Sequence, residues 1–400
     1  MKKLVFIVVF LICFCLPFCL PCKNLQSFGA NCVAEEDVSK QLEDKIAKQL
    51  EDLDLSEFDE YFLQMEREYG TSFGGIKEFL VSITKGEFNG GFNQAFNMCC
   101  KIVGKQIFAF IPILICIVAI AILFSLIDGI SSNFMSKSTT EIIYFVCYSA
   151  IIVLVVGHII KIIALTSNTI NTMQGLMNVI FPILLTLVTA LGGVVSVSAY
   201  KPMMAVASTV IVSIISKFVM PCFIACIIFC IVGNLSKNIK LEKLTKFLKS
   251  TAEVVLGSVF GLFVSFVTVQ GLIGSVADNI SVKSAKFAIS SYVPILGGYL
   301  SDGFDLVMAS MVLVKNSIGV VGLLIILFIV MLPLIQIVIF LLGLRLASGI
   351  VEPICDKRIS ELLYNVSNNL ILLVVAILGV TNMFFIMIML IIYTCNLGVV

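Results

Sequence analysis

The stretch IFAFIPILICIVAIAILFSLI, Ile107 to Ile127, carries no charged side chain and ends on Asp128. A bilayer crossing takes about 20 predominantly apolar residues, so this stretch spans. Ile142–Leu165 meets the same criterion, as do Val254–Val276, Ile318–Leu344 and Leu370–Tyr393. Leu176–Ser198 and Met203–Leu235 are equally apolar but interrupted, by Gly192–Gly193 and by Lys201–Pro202. Ala288–Lys315 is interrupted by Gly297–Gly298 and by SDGFD. Across all 400 residues, 60% are hydrophobic and 13% charged, with a mean hydropathy of +1.11. Soluble proteins run near 45–50% apolar and about 25% charged. That excludes a soluble enzyme, a nucleic-acid binder and a disordered scaffold. The fold class expected is an all-α polytopic membrane protein of about 6–8 transmembrane helices.

Charge is segregated along the chain. Residues 35–70 hold thirteen acids and four bases, a net −9, while the remainder carries +10. Translocated segments avoid Lys and Arg more than they avoid acids, so residues 35–106 are expected to form an acidic, helical, extracytoplasmic domain. Within it Val38, Leu42, Ile46, Leu50 and Leu53 follow an amphipathic stripe, and DLDLSEFDEYFLQM starts a second helix with Ser56 at its N-cap. Before it, Lys2 and Lys3 precede the apolar run Leu4–Leu20, the pattern of a signal peptide, which with a linker occupies 1–34.

The basic side is as distinct. Lys237, Lys240, Lys243, Lys246 and Lys249 recur every third residue among Leu241, Leu244 and Leu248. This reads as an amphipathic helix lying on the anionic cytoplasmic leaflet. Arg345, Lys357 and Arg358 mark a second basic segment. With the acidic domain outside, the lysines are cytoplasmic only if an odd number of crossings separates residues 166 and 235. The expected resolution is about six full spans, with 176–216 and 288–315 as two re-entrant hairpins dipping in from outside.

The transmembrane domain, 107–396, carries a weak internal repeat, about 142–252 and 254–367. Pro182-Ile-Leu184 and Pro221 match Pro294-Ile-Leu296 and Pro333 at an offset of 112, while Ala207-Ser208 matches Ala309-Ser310 at 102. Repeats with broken helices at corresponding positions are a design of transporters and channels.

The densest polar cluster within apolar sequence is YVPILGGYLSDGFDLVMASMVLVKNSIG, Tyr292 to Gly319, holding Gly297, Gly298, Asp302, Asp305, Lys315 and Asn316. A charge at mid-bilayer costs on the order of 2.5–3.5 kcal/mol, so such groups face a partner or water. The expected role is a hairpin tip lining a polar pathway, with Lys315 paired to Asp302 or Asp305. Gly192, Gly193 and Lys201 form the counterpart tip. An ordinary exposed loop with a snorkelling Lys315 is the alternative. Gln270 and Gln336 read as interhelical bonding groups, and His158 with Lys161 as an interfacial pair. Cys222, Cys226 and Cys230 share a helical face and read as small apolar filler. Asp302 and Asp305 are too close in one loop for an intramembrane aspartyl dyad. No P-loop, redox or metal motif is present, so no enzymatic activity, catalytic residue or cofactor is expected.

The succession of DLSEFDEY, LFSLIDG after the first span, ALGG…YKP, and VPILGGYLSDGFD…LVKNSIGVVGL resembles the stage III sporulation protein AE family of endospore-forming Firmicutes. The resemblance runs from about 40 to 395 and is most specific in 292–322. It implies a subunit, in the mother-cell membrane, of the channel-like complex joining mother cell and forespore. Its partners would be the other stage III sporulation A proteins and, across the intermembrane space, forespore protein Q. Residues 35–106 would then lie in that space. The alternatives are a stand-alone permease for a small molecule or ion, and a non-conducting scaffold for ring-forming partners. None of these readings involves nucleic acid.

Overall fold

The structure, a computed structural model, describes residues 45–46, 48–51, 53–70, 74–84, 91–134, 137–235, 241–292 and 297–395, giving backbone alone for 69, 91–99, 128, 130–134, 137–140, 271–292 and 297–305. The 1–34 leader, Lys237 and Lys240 lie outside the described residues. Two short helices, α1 (Ser56–Tyr69) and α2 (Ile76–Thr84), precede α3 (Gly91–Phe134) and α4 (Lys137–Ala190). A helical run α5 (Val194–Leu235) follows, then α6 (Glu242–Tyr292), α7 (Gly297–Val351) and α8 (Lys357–Tyr393). No strand occurs among the described residues.

Six of these helices, α3 to α8, are long and apolar enough to cross a membrane. The protein is an all-α polytopic membrane protein. Helix α8 is its axis, packed against α4, α5, α6 and α7, while α3 lies outside against α4 and α7. Glycines set the closest approaches. Gly343 accepts the ring of Phe110, and Gly379 the ring of Phe260, at positions where a Cβ would collide with the aromatic carbons.

Six single crossings put the ends of the helices in two groups. One end, here the lysine end, gathers the start of α4, the end of α5, the start of α6 and the α7–α8 connection. Tyr148 donates to Ile231 O (2.6 Å), Tyr144 to Asn234 O (2.9 Å), and the Arg358 guanidinium lies 3.6 Å over the Tyr144 ring. The far end holds the α4–α5 turn at Leu191–Gly193 and the end of α8. The 102-residue offset of the internal repeat carries 191–193 onto 293–295, between α6 and α7.

The arms of the two expected hairpins are not separate short elements among the described residues but continue the long helices. Residues 176–190 are the last third of α4, which runs 54 residues without a break through Pro182. Gly297, Gly298 and SDGFD are helical, the first turns of a 55-residue α7 that continues through 318–344. Neighbouring helices bury most of α7 from Leu306 on, so its backbone has no cause to leave the helix at Gly303 or Asp305. Irregularity falls elsewhere: α5 winds as π-helix at Val206–Ile211 and Ile215–Val219. The lysine segment is corrected too. Lys243, Lys246 and Lys249 belong to the first turns of α6, continuous with the span, rather than to a separate surface helix. Ser56 is not the cap of α1 but its first residue. Leu55 stands at the cap, and Ser56 Oγ donates to Asp54 Oδ1 at 2.6 Å. The 106/107 boundary of the acidic domain falls inside α3.

Candidate functional site

The acidic segment is fastened to the far half of the bundle. Ile46 and Leu50 are buried, as the amphipathic stripe requires, and Leu53 is half-buried. Phe58 and Phe62 of α1 are fully buried, and Phe62 packs on Phe79 of α2 at 5.2 Å between ring centres. Gln49 Nε2 donates to Ser310 Oγ on α7 at 2.9 Å. Gly175 on α4 leaves the space filled by the Tyr61 hydroxyl. Burial, then the charges of Glu57 and Glu60, raise the Tyr61 phenol above its ordinary pKa. Glu57 and Glu60 themselves point outward, so α1 presents a carboxylate face to its surroundings.

Lys315 is completely buried. Its ammonium donates to Ile392 O at 3.0 Å and to Thr394 O. These carbonyls belong to the last turn of α8 and its C-cap, where the helix has no N–H donors left to satisfy them and its dipole is negative. A lysine from the neighbouring helix supplies both the donors and the charge. Tyr200 of α5 completes the clamp through its hydroxyl, 2.7 Å from Thr394 Oγ1. Gly193 closes it: a side chain there would strike Val188 and the Cys395 sulfur. The adjoining Gly192 has φ +85, the left-handed conformation that the tight α4–α5 turn needs.

The structure therefore brings together Gly192, Gly193 and Lys315, around residues 392–395. Lys201 faces the opposite way from Tyr200 and lines a groove of about 610 Å³ between α4 and α5 with Asn178, Phe181, Leu185, Thr186 and Thr189. Asn316 Oδ1 is buried with no hydrogen-bond partner among the described residues. The side chains of Asp302 and Asp305 lie outside the description, so the proposed pairing with Lys315 is not visible. His158 stacks on Phe340 at 5.0 Å, and Lys161 is exposed. Gln270 and Gln336 are half-buried. Cys226 and Cys230 are buried, and Cys230 Sγ accepts from Asn369 Nδ2 at 3.1 Å. Sequence reading missed Tyr200, Thr394 and Tyr61, because nothing local marks a residue whose partner lies over a hundred positions away.

At the lysine end, Lys243, Lys246, Leu244 and Phe247 are exposed, with Lys246 bound to Glu242 at 2.5 Å. Lys249 turns inward to Asn368 O at 2.5 Å.

A bundle of six helices long and apolar enough to cross a membrane, with an acidic helical unit fixed to one end, defines a multi-pass membrane protein. A family model for stage III sporulation protein AE matches residues 75–395, and the chain belongs to that family. It is 26% identical over 268 residues to stage III sporulation protein AE of Bacillus subtilis (strain 168), covering 67% of this chain and 67% of the relative. No solved structure matches it. The family gives the protein a role in sporulation.

Proposed function

We propose that this protein is a non-enzymatic membrane subunit of the mother cell–forespore channel complex required for endospore formation. It resides in the mother-cell membrane, with its acidic helices in the intermembrane space. The observation that carries the reading is the fixed attachment of the acidic segment to α4 through Tyr61 of α1 and to α7 through Gln49, which precedes α1. A carboxylate face held at a set orientation on a membrane bundle suits the ordered docking of partners, here the other stage III sporulation A proteins and forespore protein Q. With six crossings and the acidic unit outside, Lys243, Lys246, Lys357 and Arg358 all fall on the cytoplasmic side, in accord with the positive-inside rule. There Lys243 and Lys246, beside exposed Leu244 and Phe247, would meet anionic lipid. The 1–34 segment would serve as the signal peptide.

The same geometry favours a docking role over conduction by this chain alone. Lys315, the residue most suggestive of a pathway, is fully buried and donates to the carbonyls that end α8. The test is sporulation with the paired charge reversal Glu57→Lys, Glu60→Lys, compared with the conservative pair Glu57→Gln, Glu60→Gln. Loss of spores with normal protein level and lost recovery of the partner subunits is expected for the reversal alone. Normal sporulation of the reversal would overturn the reading.

A further inference from the structure

The surface of α4 changes character at one point. From its lysine end the exposed side chains are Ile142, Phe145, Val146, Val153 and Ile160. Beyond exposed Lys161 they become Ala164, Asn168, Asn171, Asn178, Pro182, Thr186 and Thr189. Helices α5 and α3 carry an exposed lysine at the same level, whereas α6 keeps an apolar exposed face farther out, at Leu262, Val264, Phe266 and Val269. Tyr148–Ile231 and Gln174–Ser208 hydrogen bonds fix the register of α4 against α5, and interpolation between them sets Lys161 beside 219–220. Exposed Lys217 sits there, followed toward the lysine end by exposed Phe218, Ile224, Ile228 and Val232. On α3, Phe110 contacts Phe340, the ring that also stacks on His158, so exposed Lys101 and Lys105 lie just beyond the level of His158. From Lys105 to Ile127, at about 1.5 Å per residue, is about 33 Å. The hydrocarbon core is about 30 Å thick. Three helices thus place a lysine at one boundary of a single belt.

We propose that the bilayer covers only the lysine-end half, and that the far half projects from it as an extramembrane helical body. It offers the α4–α5 groove as a docking surface for a partner's amphipathic helix bearing a carboxylate. From Lys161 to Ala190 the projection is about 40 Å. The groove floor is apolar, formed by buried Phe181, Leu185 and Val197, and its rim is Asn178, Pro182, Thr186, Thr189 and Lys201. From Asn178 to Thr189 it follows three turns of α4, the length of a short helix, and small rim residues let a third backbone approach closely. Lys201 is the sole charged residue between Lys161 and Lys217 in the sequence, and no acid pairs with it among the described residues, so the complementary charge is left to the occupant. Exposed Val194, Val195, Val206 and Val210 on α5 extend the apolar contact along the same helix. This surface is distinct from the α1 carboxylate face and does not depend on it.

The membrane level is tested in the full chain depleted of cysteine, with single cysteines at Asn171, Thr186, Val146 or Val153 and a membrane-impermeant maleimide added from outside. Positions 171 and 186 are expected to label at least about tenfold faster than 146 and 153, because only the latter are sheathed in hydrocarbon. Protection of all four would place the far half in lipid and overturn the proposal. The groove is tested with a photoreactive benzoylphenylalanine at Thr186 in sporulating cells, and sequencing of the cross-linked product. The expected product is an amphipathic helical peptide with Asp or Glu within one turn of the contact. Its yield should fall about tenfold or more in Lys201→Glu, through like-charge opposition, and persist in Lys201→Arg. A lipid adduct, a peptide without an acid, no adduct, or a yield indifferent to Lys201→Glu would overturn it.

Discussion

The two lysines of the far half, Lys315 and Lys201, have opposite fates. Lys315 is fully enclosed and spends its donors on the carbonyls that end α8, whereas Lys201 stands at the edge of an open groove. Both read in the sequence as one polar pathway, because a charge in apolar surroundings looks the same whether it caps a helix or faces a partner. The same contrast separates the halves of α4. One presents isoleucine, valine and phenylalanine outward, and the other presents asparagine, threonine and proline. Hydropathy averages over the buried face and so cannot tell a membrane span from a covered extramembrane helix. Only the exposed face reports the solvent.

The sharpest test of the lysine contrast is Lys315→Met. Each carbonyl stranded at the end of α8 costs about 1–3 kcal/mol, so this variant should lose the most stability, read as a drop in melting temperature in mild detergent. Lys201→Met should stay within about 0.5 kcal/mol of the parent, as exposed substitutions do. Equal losses would break the distinction. Next in size, Val153→Lys on the exposed face of the lysine-end half should cost about 2.5–3.5 kcal/mol of insertion free energy. Asn171→Lys, one face further along the same helix, should leave the inserted fraction unchanged. Gly343→Leu would drive a side chain into the Phe110 ring and should cost about 1–3 kcal/mol by overpacking. Its control is Gly157→Leu, where the site is open, and the two melting temperatures should separate. The smallest effect belongs to Tyr144→Phe at the lysine end. Removing the hydroxyl bound to Asn234 O should cost about 1 kcal/mol while the Arg358 stacking survives, so the loss should be smaller than in Tyr144→Ala.

Sequence by itself determined the class, the long apolar stretches, the segregation of charge along the chain, and the resemblance that the comparison with known families then established. These follow from composition and local periodicity, which act on every residue independently of its partners. It also marked Gly192, Gly193, Lys201 and Lys315 as unusual. It did not determine what they do. Gly297–Gly298 and Asp302 looked like helix breakers, yet in α7 they are helical, because packing outweighs a propensity of about 1 kcal/mol per glycine. The clamp of Lys315, Tyr200 and Thr394 joins α7, α5 and α8, and the Tyr61–Gly175 seat joins the acidic unit to α4. Those unions were decided by tertiary structure alone. Each depends on which faces of separate helices meet, a relation that no window along the chain contains.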